Sequence, residues 1–293
     1  MSPDRRRAAV TYLCRRFKIS QRRACRLVGQ VRSTQRYSPV PSDFEARLVV
    51  EMITHAQAHP RWGYRRIHAL LVAEGWPVNV KRIERLWRAQ DLRVPPRRKN
   101  RPGGKGPGIA DNSAWARPAV RPGHTWSYDF MSLRTEDGRP LRLLNVVDEY
   151  TRVGVGFHVA RRIGARSVQR TVERLIGEHG PPTVIRSDNG KEFISTELVT
   201  WLGANGIAAA PVEKGSPQQN CYIERFNGTM RRELLDGETF HSVLEAKVVI
   251  GRFYDEYNHD RPHRSLGMLT PLAFDAAERA RLATEEGSDE GGR

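Results

Sequence analysis

Apolar residues recur every three or four positions through the first third of the chain, and this spacing predicts helices. Residues 5–36 hold one or two short helices by this pattern. Ser42 followed by Glu45 is a capping-box sequence, which predicts that a longer helix begins there. The next apolar stripe predicts a helix over residues 64–74 that ends at Gly75, a residue suited to a helix C-terminus.

Asn79 is placed to cap one more helix, in which apolar and basic residues separate onto two faces. Three short helices, of which the last is basic, predict a helix-turn-helix-like module in residues 41–94. A plain three-helix bundle with a solvated face is the alternative. The basic residues of the last helix are Lys81, Arg82, Arg85 and Arg88.

From residue 118 onward, short apolar runs predict strands. The runs 124–133, 141–147 and 153–159 follow one another closely, and Asp137-Gly138 between the first two is a hairpin-turn signal. These runs predict three consecutive antiparallel strands.

Two further runs, 183–186 and 207–212, alternate with helical patterns in the second half of the chain. Such alternation predicts parallel strand pairs with helices on both faces of the sheet. The expected fold class is therefore α/β: a mixed five-stranded sheet flanked by helices and preceded by an all-α region. The predicted helices are 165–177, 192–204, 218–235 and 242–257.

The charge of the chain is unevenly distributed. The 293 residues include 49 Lys and Arg against 33 Asp and Glu. Residues 1–105 contain 25 of the basic and 7 of the acidic residues, whereas residues 106–293 contain 24 and 26. A basic module joined to a near-neutral one predicts a polyanion-binding part attached to a part with another task, and the arginine content favours nucleic acid over a membrane surface.

Composition also excludes several classes of protein. Apolar residues make up 39% of the chain, enough for a folded core. No apolar run approaches the roughly 18 residues of a membrane-spanning helix, and the N-terminus does not resemble a secretory signal. Three cysteines at unrelated spacings fit reduced thiols, so we expect a cytoplasmic protein.

Five segments are predicted along the chain. A basic helical segment (1–40) comes first, and the helix-turn-helix-like module (41–94) follows it. Pro39 and Pro41 break the chain where the two segments meet. Residues 95–117 are a basic Pro/Gly linker. Residues 118–283 form the α/β domain, and the acidic tail 284–293 is expected to be disordered.

Three carboxylates of the α/β domain stand in unusual surroundings. Asp129 lies inside an aromatic strand, where an unpaired charge is costly. Asp188 follows the strand 183–186, and Glu224 lies in a predicted helix. If the first and fourth strands are neighbours, the aspartates meet at one sheet edge and the helix can bring Glu224 over them. Such oxygen ligands suit Mg²⁺ or Mn²⁺, although each residue alone could equally be a satisfied polar group, a turn residue or a solvated side chain.

The sequence around these acids resembles the Asp-Asp-Glu insertion-sequence transposases and the retroviral integrases. Thirty-five residues separate Asp188 from Glu224, a spacing typical of that superfamily. Cys221 departs from the usual small residue, and we expect little consequence from this difference. The pair Gln218-Gln219 also departs from the usual residues, which leaves local DNA contacts open but not the ligands. The resemblance covers nearly the whole chain, through residues 25–29, 59–67, 187–193, 215–229 and 257–271.

The resemblance implies a ribonuclease-H-like fold and phosphodiester transfer by two Mg²⁺ or Mn²⁺ ions. Asp129 would bridge both ions, Asp188 would complete one site and Glu224 the other. Water would first free a 3′-hydroxyl at a transposon end, and this hydroxyl would then attack another phosphate. The implied partners are transposon ends, target DNA, and further copies of the chain in a synaptic complex. An upstream-frame helix-turn-helix protein, or a fusion to it, is a further possible partner, and no membrane is involved. The implied location is the bacterial cytoplasm, at the nucleoid.

Several residues are candidates for contacts with DNA. Arg231, two turns beyond Glu224, occupies the resembled family's basic position and could hold a phosphate oxygen. Trp62 and Tyr64 lie among arginines, and base stacking and a place in the core are equally open for them. The complete set of candidates is Arg231, Arg61, Arg65, Arg66, Lys81, Arg82, Arg85, Asn189 and Lys191.

The histidines support weaker hypotheses. His55 and His59 have metal-like spacing, but no suitably spaced cysteine pair accompanies them, so zinc is not expected. His259 and His263 lie near arginines, and either DNA contact or a structural role fits them.

The favoured function is that of a transposase catalytic subunit from the downstream frame of an insertion sequence. A non-catalytic DNA-binding remnant of such an element is one alternative. A ribonuclease-H-like nuclease that only hydrolyses is the other, and DNA joining separates it from a transposase.

Overall fold

The computed structural model describes residues 2–37, 42–95, 118–212 and 220–290, with side chains as far as residue 285. The predicted linker beyond residue 95, the breaks at Pro39 and Pro41, and the pair Gln218-Gln219 lie outside these residues. The chain divides into two units, residues 1–51 and 52–293. This division differs from the boundary predicted between residues 40 and 41.

The first unit is helical. Apolar residues of its first two helices form a small core around Val10, Ala24 and Cys25. The side chains of Ser2 and Ser20 accept hydrogen bonds from backbone N–H groups one turn later, which fixes where these helices begin. The helices are α1 (Pro3–Phe17), α2 (Gln21–Val28), α3 (Arg32–Arg36) and the first half of α4 (Asp43–Ala58).

Two of the predicted helix starts carry the expected caps. Ser42 Oγ accepts the Glu45 N–H at 3.1 Å, immediately before α4. The second unit continues with α5 (Tyr64–Ala73) and α6 (Val80–Ala89), where Asn79 Oδ1 accepts the N–H groups of the second and third residues of its helix. The predicted helices at these positions are confirmed.

The centre of the second unit is a mixed five-stranded sheet in the order β3-β2-β1-β4-β5. The first three strands pair antiparallel, whereas β4 runs parallel to both β1 and β5. The predicted α/β class and the mixed sheet are thus confirmed. The strands are β1 (Thr125–Arg134), β2 (Pro140–Asp148), β3 (Gly154–Ala160), β4 (Val184–Ser187) and β5 (Ala208–Pro211).

Helices cover both faces of this sheet because its strands are apolar on both sides. One apolar core lies between the sheet and α7 and α8, and the other lies between the sheet and α9 and α10. The helices are α7 (Ala165–His179), α8 (Thr196–Ala204), α9 (Cys221–Met230), α10 (Val243–His259) and α11 (Pro271–Glu290). A π-helical turn, Arg231–Leu235, extends α9.

Two element boundaries differ from expectation. Helix α8 begins at Thr196 rather than at residue 192, because Ser195 accepts the Leu198 N–H and acts as its cap. Residues 284–290 continue α11, although their composition predicted disorder. The side chain of Arg281 pairs with Glu278 and Glu285 on this helix, and such pairs support helical structure.

Within the described part of the chain, every helix is too short or too polar to cross a bilayer.

Candidate active site

The pairing of β1 and β4 brings two of the predicted carboxylates together. Ser127 of β1 is in register with Arg186 of β4. Asp129 and Asp188 each follow two residues later, and alternate residues of a strand point to the same face. Both aspartates therefore lie at the same level of the sheet, where β4 ends and β1 continues toward Arg134.

Helix α9 brings the third carboxylate to this place. Ile223, Phe226 and Met230 bury one side of the helix in the core on the same face of the sheet. Glu224 remains exposed, and Asn227, one turn later, donates a hydrogen bond of 2.9 Å to Asp129 Oδ2. The structure thus gathers all three residues around the end of β4 and the adjacent middle of β1.

Asp188 and Glu224 act electrostatically on Asp129. Burial, together with the negative charges of Asp188 and Glu224, raises the pKa of Asp129 to about 6, against the lowering effect of hydrogen bonds from Phe130 and Asn227. Burial also raises the pKa of Glu224. The site therefore concentrates negative charge, which a bound cation or protons would offset.

A chain of polar side chains behind Asp129 was not predicted from the sequence. Asn227 Oδ1 accepts a hydrogen bond from Asn145 Nδ2 at 2.6 Å, and Asn145 Oδ1 accepts one from the Tyr254 hydroxyl at 3.0 Å. These contacts link α9, β2 and α10 to the first aspartate. Asn227 stands three residues after Glu224 on the helix, and that spacing is the signal that could have found it.

A buried ion pair supports the two strands, and it too was missed. Arg186 Nε lies 3.0 Å from Glu149 Oε1, with both side chains less than a tenth exposed. The Ser127 hydroxyl donates to the same carboxylate. The pair therefore joins β1 and β4 at the residues that precede Asp129 and Asp188.

The residues predicted to contact DNA fall into different environments. Lys191 and Arg231 are exposed, three residues after Asp188 and seven residues after Glu224 in the chain. Asn189 is also exposed, but its amide donates to the carbonyl of Val212 at the end of β5, which gives it a structural contact. The start of α6 forms one basic groove, lined by Lys81, Arg82 and Arg85 together with Pro77, Val78 and Asn79.

The residues around the start of α5 are divided between the surface and the interior of the protein. Arg65 is exposed and Arg61 is half-buried. Base stacking and a place in the core were both open for Trp62. Its side chain is only 2% exposed, so it belongs to the core. Arg66, predicted as a DNA contact, directs its guanidinium toward Glu233, at 3.6 Å.

The histidines do not gather around one point. His55 Nε2 lies 3.0 Å from Glu74, whereas His59 Nδ1 lies 2.9 Å from Glu256. Burial and the neighbouring Arg261 lower the pKa of His263 to about 3, so this residue is a neutral part of the interior. His259 is exposed.

Known protein families match both parts of this arrangement. Two models described as integrase core domain match residues 119–217 and 205–271, which contain the sheet and the three carboxylates. A model described as HTH-like domain matches residues 44–100, which contain α4 to α6. The class is therefore that of integrase-core proteins with a helix-turn-helix-like domain.

Relatives narrow this class. An uncharacterized 39.2 kDa protein of insertion element IS476 from Xanthomonas euvesicatoria is 37% identical, over 97% of this chain and 80% of the relative. An uncharacterized 31.7 kDa protein of insertion element IS407 from Burkholderia multivorans is 38% identical, over 90% of this chain and 94% of the relative. The InsF transposase for IS3A from Escherichia coli is 25% identical, over 77% of this chain and 81% of the relative. This chain belongs to the insertion-sequence transposases with an integrase core.

Two of the solved structures that resemble the chain are retroviral. A simian T-cell lymphotropic virus intasome in complex with PP2A regulatory subunit B56 gamma matches with a TM-score of 0.48 and 17% identity, over 77% of this chain and 74% of that one. The HTLV-2 integrase catalytic core domain in complex with magnesium matches with a TM-score of 0.42 and 18% identity, over 54% of this chain and 99% of that one.

Proposed function

We propose that this protein cleaves DNA at the ends of an insertion sequence and joins the freed 3′-hydroxyl to target DNA. Asp129, Asp188 and Glu224 are its catalytic residues in this proposal. The observation that carries it is the meeting of these carboxylates where β4 ends beside the middle of β1, with Glu224 on α9. Burial, together with the charges of Asp188 and Glu224, raises the pKa of Asp129 there.

The donor set suits a hard divalent cation. Carboxylate oxygens are the ligands that Mg²⁺ and Mn²⁺ prefer, and a cation would relieve the repulsion that raises the pKa of Asp129. In our proposal Asp129, Asp188 and Glu224 would together hold two such ions. When bound, a pair of ions stabilises the attacking and leaving oxygens of a phosphodiester displacement.

The protein's own residues orient these carboxylates. Asn227 holds Asp129 Oδ2 by its amide, and Asn145 in turn holds Asn227. The Glu149–Arg186 pair keeps the two strands aligned just before the aspartates. Because both supports are buried, they keep the ligand oxygens in place before DNA arrives.

DNA is held by basic groups outside the carboxylate cluster. Lys81, Arg82 and Arg85 line the groove of α6, and the exposed Arg231 and Lys191 lie on the side of the carboxylates. Arginine and lysine bind phosphate oxygens through charge-assisted hydrogen bonds. We assign the α6 groove to the duplex of the transposon end and Arg231 to a phosphate next to the reacting one. Arg61 and Arg65 are assigned to neighbouring phosphates.

Transposition by this chemistry brings two ends together, so further copies of the chain belong to the proposal. It also includes an upstream-frame helix-turn-helix protein or its fusion, and action at the bacterial nucleoid.

A DNA-joining assay tests the function. Labelled duplexes with free 3′-hydroxyl ends and a supercoiled target are incubated with the protein in Mg²⁺, in Mn²⁺ and in EDTA. We expect metal-dependent joined products. Metal-dependent nicking without joining would instead identify a hydrolytic nuclease, and salt-sensitive binding without any reaction would identify a DNA-binding remnant.

A further inference from the structure

Glu233 lies in the π-helical turn Arg231–Leu235, directly after helix α9 and nine residues beyond Glu224. The turn closes with a hydrogen bond of 2.7 Å from the Asp236 N–H to the Arg231 carbonyl. The side chain of Glu233 is only 11% exposed. A buried carboxylate persists only where other groups compensate its charge, so its partners indicate what it does.

Those partners come from two distant parts of the chain. Arg261, in the loop after α10, donates from Nε and Nη2 to the two carboxylate oxygens, both at 2.7 Å. Trp62, before α5, donates its indole N–H at 3.1 Å, and Arg66 of α5 lies at 3.6 Å. Glu233 thus connects the start of α5 and the loop after α10 to the catalytic helix.

Ring contacts surround the same connection. His59 stacks on Trp62 with 3.9 Å between ring centroids and pairs with Glu256 of α10. Arg261 also lies over the ring of Tyr257, which meets Phe226 of α9 edge to face at 4.7 Å. Phe226 is two residues from Glu224, so the packed cluster extends to the level of the catalytic carboxylate.

The charges make Glu233 the necessary member of the cluster. Burial and the nearby Arg261 lower the pKa of Arg66 to about 10. Without the carboxylate, two guanidinium groups would face each other with no compensating charge, and the neutral His263 beside Arg261 would not help.

We propose that Glu233 is a positioning residue that fixes α5 and α6 against catalytic helix α9, so that the DNA-binding groove and Glu224 move as one body. Trp62 and Arg66 then serve this attachment and do not contact DNA. The inference rests on the proposed function, since it describes how the bound DNA end is held relative to the carboxylates.

The test compares Glu233→Gln and Trp62→Phe with wild type. The first variant removes the charge at constant shape, and the second keeps an aromatic ring but loses the donor to Glu233. Glu278→Gln is the matched control. Glu278 lies on α11 and also accepts hydrogen bonds from a tyrosine, Tyr150, and an arginine, Arg281. Three quantities are measured: duplex affinity, joining rate at saturating duplex, and the Mn²⁺ concentration that gives half of the maximal rise in melting temperature.

We expect both variants to bind duplex within about 3-fold of wild type, because the α6 groove is intact. Joining at saturating duplex should fall at least 10-fold in Glu233→Gln and less in Trp62→Phe. The half-maximal Mn²⁺ concentration should rise several-fold in Glu233→Gln, a shift that a general loss of stability would not cause. Glu278→Gln should match wild type in all three measurements.

Wild-type joining rates in both variants would overturn the inference, as would a loss that disappears when DNA is saturating, since Trp62 and Arg66 would then be DNA contacts. If Glu233→Gln melts below the assay temperature, Trp62→Phe decides by the same criteria. If wild type joins no DNA, the proposed function fails. In that case the Mn²⁺ measurement still tests the positioning role, and an unchanged midpoint in Glu233→Gln refutes it.

Discussion

Asp129 is surrounded by groups that make its negative charge unfavourable in the folded protein. Its pKa of about 6 lies above the ordinary value of 3.8, so the folded state binds its proton more tightly than the unfolded state. The stability that this difference contributes is present below about pH 4 and is lost as the pH rises through about 6. At neutral pH the metal-free site therefore carries a cost in stability that function requires.

Asp129→Asn should stabilise the metal-free protein at pH 8. Removing the charge relieves the cost of burying it and the repulsion from Asp188 and Glu224. We therefore expect a gain of about 1–2 kcal/mol in the free energy of unfolding, largely absent at pH 4. Urea denaturation in EDTA at both pH values measures it. Excess Mg²⁺ should stabilise wild type more than the variant. A variant less stable than wild type at pH 8 would contradict the account of this carboxylate.

Asn227→Ala should weaken the site without removing a ligand. The change leaves the buried Asn145 amide without its acceptor and Asp129 without a donor, so we expect a loss of about 1–3 kcal/mol in stability. Joining should fall by about 10-fold even where the protein remains folded. Asn205→Ala, which removes an exposed side-chain bond to a helix carbonyl, is the control. Equal joining by both variants would show that Asn227 has no part in orienting Asp129.

Sequence reasoning located the three carboxylates because the motifs around them are local. It did not find Asn145, which meets Asn227 across 82 positions of sequence, or the pair of Glu149 and Arg186. These residues acquire their roles only from tertiary pairing. A polar residue in an apolar strand signals that a partner exists, but not which residue that partner is.

At the scale of elements, the helix starts were predictable from capping residues, and the sheet was predictable from the alternation of strands and helices. Ser42 and Asn79 fix where α4 and α6 begin, and both caps act within three residues of themselves. The order of the sheet follows from its three meandering strands and two crossover connections. The start of α8 was less predictable, because residues 192–195 have helical composition and Ser195 nevertheless caps the helix.

The basic groove of α6 gives a prediction that belongs to this scale. Replacing Lys81, Arg82 and Arg85 together by alanine should lower duplex affinity without unfolding the helix, whose buried residues lie on its other side. The slope of log affinity against log salt should decrease by about 0.9 for each phosphate that the variant no longer neutralises. Binding of one duplex between 50 and 200 mM salt measures the slope, with Arg279→Ala on α11 as control. An unchanged slope would remove the groove from the DNA interface.

At the scale of the whole molecule, attraction and chemistry are assigned to different parts of the chain. The excess basic charge lies in residues 1–105, whereas the carboxylates lie in the near-neutral remainder. In our proposal, this separation lets most phosphate contacts form without neutralising the three carboxylates. Composition alone predicted the separation. The attachment of α5 to the catalytic helix was not predictable, because Trp62 and Glu233 are 171 positions apart.

The central claim is that Glu224, together with the two aspartates, performs DNA joining. The most direct test measures joining of a labelled duplex to a supercoiled target in Mn²⁺ by wild type, Glu224→Gln and Glu173→Gln, the last altering an exposed glutamate on α7. We predict that Glu224→Gln loses joining by at least 1,000-fold, on the scale of removing an essential catalytic group, while it binds duplex as wild type does. Glu173→Gln should retain full activity. Joining by Glu224→Gln at the wild-type rate would contradict the assigned site.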